Sequence, residues 1–135
     1  EVNFPLIEDI TMNVAKAYGM IQPGESDTKA VRAVFYIDPK GIVRALMYYP
    51  LSVGRNFDEL YRTLICLQTA DAFGVATPAD WRPGDDVIIG AAGSCGAAKR
   101  RMEGKEDMQC QDWFFCSRKL PKEKVLAAIL KKKRK

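Results

Sequence analysis

The chain has 135 residues, 47% of them apolar, which is long enough for one sizeable hydrophobic core. Its formal charge is +4, but the last five residues, "KKKRK", carry +5. The remainder therefore has a net charge of −1 and lacks the basic surface of a typical nucleic-acid-binding domain. The absence of histidine removes the commonest general base and most catalytic zinc sites.

The N-terminal segment contains one short predicted helix. In "TMNVAKAYGM", Met12, Ala15 and Tyr18 have helical spacing, while Thr11 can cap the helix and Gly19 can end it. The chain starts with Glu1 rather than Met, so we expect it to begin part-way through a longer product. No signal peptide and no run of about 18 apolar residues is present, so we expect a cytoplasmic protein that does not enter a membrane.

A β-hairpin is predicted in "VRAVFYIDPKGIVRALMYYP", with a turn at "DPKG" in which Gly41 takes a positive φ. With a loop at 39–41, the strand alternation predicts which side chains share a face. One face is apolar and comprises Val31, Ala33, Phe35, Ile37, Val43, Ala45, Met47 and Tyr49. The other comprises Arg32, Val34, Tyr36, Arg44, Leu46 and Tyr48, so Arg32 is expected to be a partly buried cation that needs an anionic partner.

The strongest helical pattern is "NFDELYRTLICLQTADAF", capped by Asn56, with Leu60, Leu64 and Leu67 on one stripe. From Gly74 the sequence is rich in turns and then aromatic without periodicity, until a short basic helix at "KEKVLAAILKKKRK". We therefore predict a core over residues 1–72 and an extended arm over 73–135. Trp81, in "TPADWRPGDD", is expected to pin the arm in place.

The four cysteines are Cys66, Cys95, Cys110 and Cys116, and their irregular spacing does not suit a secreted disulfide framework. It also offers no paired Cys-x2-4-Cys ligands for structural zinc, so no metal site is expected. Cys66 and Cys95 are interpreted as packing and loop thiols. Cys110 and Cys116 lie in "CQDWFFC", which is compatible with two inert buried thiols or with a redox pair.

Four segments in this order resemble the peroxiredoxins, chiefly the archaeal branch that shares the architecture of the one-cysteine, Prx6-like subgroup. They are "VRAVFYIDPKGIVRALMYYP", "GRNFDELYRTL", "VATPADWRPGDD" and "CQDWFFC". The resemblance implies an α/β chain: the second half of a thioredoxin-like fold, with a β-hairpin, a long helix and an extended C-terminal arm. The family's Pro-x-x-x-Thr/Ser-x-x-Cys motif, which carries the peroxide-reactive cysteine, is not in this sequence. The resemblance therefore implies that this cysteine lies on polypeptide N-terminal to the chain.

The resemblance also implies site residues. Arg32 opens the "R-x-x-F-x-I-D" strand pattern, where the family has the arginine that stabilises the reactive thiolate and the peroxide. Arg55 matches a supporting arginine. Both arginines are also compatible with ordinary surface positions. Cys116 is interpreted as the cysteine that resolves the oxidised nucleophile, with Cys110 as its exchange partner in a disulfide within the arm.

The function implied is a thiol peroxidase that reduces hydrogen peroxide and organic hydroperoxides. It would need no metal, flavin or haem and would be recycled by a dithiol reductant such as a thioredoxin-like protein. We expect a homo-oligomer that is built from dimers, and these dimers can assemble into a decameric ring. The alternative is a non-enzymatic fragment that binds a partner protein and touches nucleic acid through its basic tail.

Overall fold

The computed structural model describes residues 1–104 and 107–132, and these form two units that divide after Asn56. Residues 133–135 of the predicted basic tail lie outside the described residues. The first unit contains α1 (Asn13–Ala17), β1 (Arg32–Ile37) and β2 (Val43–Tyr49). The second contains α2 (Phe57–Phe73), β3 (Val75–Ala76), β4 (Asp86–Ile89), α3 (Cys95–Met102), β5 (Gln109–Asp112), β6 (Phe115–Lys119) and α4 (Lys122–Lys132).

The predicted hairpin is present as antiparallel β1 and β2, and its turn has the expected chemistry. Asp38 and Ile42 close the loop by a backbone hydrogen bond of 2.9 Å, and the Asp38 carboxylate accepts hydrogen bonds from two loop N–H groups. Gly41 has a φ of 80°, a conformation that costs other residues strain because of their Cβ atom. Local turn residues are therefore sufficient to set the position of this turn.

The predicted assignment of side chains to the two hairpin faces is wrong on the second strand. Ile37 pairs with Val43, but Tyr36 pairs with Ala45, so Arg44 is an extra residue in a β-bulge. A bulge shifts the alternation by one position. Arg32 consequently shares a face with Met47 and Tyr49, while Leu46 and Tyr48 lie on the opposite face. The edge-to-face contact of the Phe35 and Tyr48 rings, 5.7 Å apart, agrees with this register.

Helix α1 begins by a different cap from the one predicted. Met12 stands at the N-cap without a side-chain bond, and Thr11 makes none to the helix. The Asp9 carboxylate instead accepts hydrogen bonds from the N–H groups of Val14 and Ala15, at 3.2 and 2.7 Å. The helix ends before Gly19, as predicted, with Gly19 at a φ of 65°.

The second unit is built on an antiparallel sheet of four short strands in the order β3-β4-β6-β5. Helices α2 and α4 pack against each other, and their apolar residues join those of the sheet in one core. Trp81 is 1% exposed at the centre of that core, and its Nε1 donates a hydrogen bond to the Asp85 carbonyl oxygen at 3.2 Å. The arm thus shares one packed core with α2, and Trp81, the residue expected to pin the arm, is buried in that core.

The predicted domain boundary at residue 72 stays a prediction, and the structure groups the chain differently. It assigns α2 to the same unit as the arm, because α2 packs against α4 and β3. Within the part of the chain that the structure describes, no helix combines the length and apolar character that a membrane span requires.

Candidate functional site

Arg32 occupies the first position of β1, as the strand pattern predicted. Its Nη1 donates a hydrogen bond of 3.1 Å to the backbone carbonyl oxygen of Val53. The side chain is exposed, so the expectation of a partly buried cation is wrong for this chain. The reason is that a hairpin of two strands covers neither of its own faces. Among residues 1–104 and 107–132, no ion pair of Arg32 is present.

Arg55 lies beside the same end of β1. Its Nη2 donates a hydrogen bond of 3.4 Å to the carbonyl oxygen of Ala33, the residue that follows Arg32. The bonds from Arg32 to Val53 and from Arg55 to Ala33 tie the segment before α2 to the start of β1. Both arginines therefore have a hydrogen bond that involves the first two residues of β1. Fixed cations in this region favour an anion there.

Cys110 and Cys116 form a disulfide within the arm. They are directly opposite each other on β5 and β6, with their Cα atoms 4.0 Å apart. The expected intra-arm disulfide is therefore present, although the two residues lie on paired strands rather than on an irregular segment. Cys116 is completely buried, whereas Cys110 is half-buried. Cys110 is therefore the more exposed residue of the disulfide.

The two remaining cysteines are free thiols in different surroundings. Cys66 is half-buried and packs against the core of the second unit. Cys95 is exposed and is the first residue of α3, after the N-cap Ser94. The interpretation of Cys66 as a packing thiol agrees with this environment.

A charged cluster on α2 was not singled out from the sequence. Glu59 and Arg62 form a bidentate pair with N–O distances of 2.6 and 2.8 Å, and Arg62 Nη1 lies 3.5 Å from the Cys66 Sγ. The hydrogen bond from Arg62 lowers the pKa of Glu59 to about 2, and the same bond raises the pKa of Arg62. The helical spacing of Glu59 and Arg62, three residues apart, is the signal that could have revealed the pair.

Two family profiles match separate parts of the chain. Residues 1–46 match the AhpC/TSA family, and residues 66–105 match the C-terminal domain of 1-Cys peroxiredoxin. The first range contains Arg32 and β1, and the second contains α3. The two profiles therefore cover parts of both units.

Curated relatives named peroxiredoxin are similar over most of the chain. One from Methanosarcina mazei is 54% identical over 121 residues, which are 88% of this chain and 55% of the relative. Peroxiredoxin 2 from Caldanaerobacter subterraneus subsp. tengcongensis is 47% identical over 120 residues, which are 89% of this chain and 54% of the relative. The chain thus spans about half the length of these curated relatives.

Two solved structures have the same fold over this region. A yeast mitochondrial 1-Cys peroxiredoxin superposes with a TM-score of 0.73 at 37% identity, covering 88% of this chain and 57% of that protein. A cysteine-to-serine mutant of peroxiredoxin 6 from Arenicola marina superposes with a TM-score of 0.72 at 32% identity, covering 90% and 58%. The α/β elements of the chain are part of a thioredoxin-like fold. The chain belongs to the peroxiredoxin family.

Proposed function

We propose that this chain is part of a thiol peroxidase that reduces hydrogen peroxide and organic hydroperoxides. The observation that carries the proposal is that Arg32 and Arg55 each have a hydrogen bond that involves the start of β1. Each spends one donor on a backbone carbonyl, which orients the guanidinium group, and a guanidinium has five N–H donors in all. The pair therefore has donors left for an anionic sulfur and a peroxide oxygen.

The reacting sulfur comes from a peroxidatic cysteine N-terminal to this chain. Its thiolate attacks one oxygen of the hydroperoxide, the O–O bond breaks, and the sulfur becomes a sulfenic acid. The other oxygen leaves as an alkoxide or hydroxide and takes up a proton. Arginine suits this step because it stays protonated and can stabilise negative charge first on sulfur and then on oxygen.

The arm supplies the thiols for the next steps. A thiol of the reduced arm attacks the sulfenic sulfur, water leaves, and a mixed disulfide forms. The second arm thiol then attacks its neighbour, which regenerates the peroxidatic thiol and closes the Cys110–Cys116 disulfide. The complete burial of Cys116 favours Cys110 as the first attacker, the reverse of the order expected from the sequence. A dithiol reductant, such as a thioredoxin-like protein, then reopens the arm disulfide.

The test of the proposal is the variant Arg32→Lys in the complete protein that carries this chain. Lysine keeps the charge but presents a single point donor, so kcat/KM for hydrogen peroxide should fall by about 100-fold or more. Stopped-flow kinetics of the reduced enzyme measures this rate. Arg44→Lys, which changes an exposed arginine ion-paired with Asp38 at 3.8 Å, is the matched control and should keep the rate. An unchanged rate in Arg32→Lys would refute the proposed role.

A further inference from the structure

Three of the four cysteines lie on neighbouring elements of the second unit. Helix α3, which begins at Cys95, packs against β5, which carries Cys110. A groove of about 400 Å³ lies at the start of α3 and is lined by Ala92, Gly93, Ser94, Cys95, Ala98 and Trp113. Trp113 belongs to the turn that joins the two disulfide-bonded strands. Cys95 and the turn of the disulfide-bonded hairpin therefore line one groove.

Thiol–disulfide exchange requires an accessible attacking thiol and a disulfide that this thiol can reach. Cys95 is exposed, and Cys110 is the more exposed residue of the disulfide because Cys116 is completely buried. The segment before Cys95, "GAAGS", contains only small residues, and a Cβ added at Gly90 or Gly93 would meet nothing within 4 Å. The segment before Cys95 therefore places no large side chain of its own beside the groove.

From this arrangement we propose that Cys95 is a third redox thiol, which exchanges with the arm disulfide. The Cys95 thiolate attacks the Sγ of Cys110, the Cys110–Cys116 bond breaks, and a Cys95–Cys110 bond forms. Cys116 leaves as a thiolate and takes up a proton, so the exchange needs no external oxidant or reductant. The exchange produces a Cys95–Cys110 disulfide. Because Cys95 is exposed at the start of α3, a dithiol reductant can attack its sulfur from solution.

The inference rests on the arm disulfide used in the proposed function but not on peroxide reduction. It can therefore be tested on the 135-residue chain without peroxide. A failure of exchange leaves the peroxidase proposal intact. An unchanged rate of peroxide reduction in Arg32→Lys, which would refute the peroxidase proposal, leaves the exchange intact. The two proposals thus fail in distinguishable ways.

The first experiment uses the oxidised wild-type chain in buffer at about pH 8 without reductant. Samples are quenched in acid, labelled with N-ethylmaleimide and digested with trypsin and chymotrypsin. Chymotrypsin separates Cys110 from Cys116 because aromatic residues lie between them. We expect labelled Cys116 and a linked Cys95–Cys110 peptide to increase together. Cys95→Ser should abolish both products, and the control Cys66→Ser should leave both unchanged. A wild-type chain that keeps only the Cys110–Cys116 link would overturn the inference.

The second experiment traps the intermediate in Cys116→Ser, after mild oxidation with oxidised glutathione. Groups held on one folded chain have an effective concentration of the order of millimolar, so at about 10 µM chain the Cys95–Cys110 link should exceed links between chains by about 100-fold. Cys66 remains in the same molecule as an internal control. Pairing of Cys110 with Cys66, with a second chain or with glutathione alone would count against Cys95. Should Cys116→Ser fail to fold, the wild-type measurement decides alone.

Discussion

The bidentate contact between Glu59 and Arg62 makes one glutamate on α2 sensitive to acid. Its pKa lies at about 2 in the folded chain against an ordinary value of 4.5, because Arg62 donates hydrogen bonds to the ionised form. A depressed pKa stabilises the folded state above the ordinary value, and this contribution is lost as the pH falls from 4.5 towards about 2. The side chain is 38% exposed, so solvent screens the pair and the effect is small.

We predict that Glu59→Gln removes part of the acid dependence of the free energy of unfolding. Urea titrations at about pH 7, 4 and 2.5 should show a smaller decrease in the variant than in the wild-type chain. Glu123→Gln, which changes an exposed glutamate in the first turn of α4, serves as the matched control and should follow the wild-type profile. Equal profiles for Glu59→Gln and wild type would show that the Glu59–Arg62 pair does not contribute to the pH dependence of the free energy of unfolding.

At the residue level, the sequence predicts the position of a functional residue better than its burial and its contacts. The intra-arm pairing of Cys110 with Cys116 was implied by the resemblance to the peroxiredoxins, and so were the positions matched by Arg32 and Arg55. The exposure of Arg32 does not follow, because burial depends on chain segments distant in sequence. The cap of α1 was missed for a related reason: Asp9 reaches the helix from outside the expected cap position.

The β5–β6 hairpin is the element whose stability depends most directly on a covalent bond. The disulfide closes a loop between residues six positions apart in the sequence. Chain-entropy arguments for a loop of this size give a stabilisation of about 2 kcal/mol. Because β6 lies between β4 and β5 and carries the buried Cys116, we expect the second unit as a whole to share this stabilisation.

Reducing the disulfide should therefore lower the free energy of unfolding of the oxidised chain by about 2 kcal/mol. Chemical denaturation with and without a phosphine reductant measures the difference. The double variant Cys110→Ala/Cys116→Ala retains Cys66 and Cys95, so it should give the same result in both conditions. A dependence on reductant that persists in the double variant would assign the effect to another thiol.

The hairpin of β1 and β2 shows which features of an element the sequence predicts and which it does not. The turn was placed correctly, because Asp38 and Gly41 determine it through local hydrogen bonds and a positive φ. The bulge at Arg44 was missed because residues 45–49 are apolar on both faces of the strand, so their alternation does not fix the register. A single extra residue then reassigned every side chain of β2 beyond the bulge to the other face.

For the whole molecule, we propose assembly into a homo-oligomer on the basis of surfaces that the described chain leaves uncovered. The turn between β5 and β6 exposes Trp113 by 48% and Phe114 by 55%, and their rings stack edge to face at 5.6 Å. In the described residues β2 pairs only with β1, which leaves one strand edge for further pairing. Exposed aromatic residues on a rigid hairpin are typical anchors of protein interfaces.

We predict that Phe114→Ser weakens self-association of the complete protein. Loss of one aromatic anchor from an interface costs about 2 kcal/mol, which corresponds to an increase of about 30-fold in the dimer dissociation constant. Analytical ultracentrifugation over a dilution series measures it. Leu130→Ser on α4 removes an apolar side chain that is 59% exposed and should leave the constant unchanged. Equal dissociation constants for Phe114→Ser and wild type would exclude the aromatic turn from the interface and leave the unpaired edge of β2 as the surface to test.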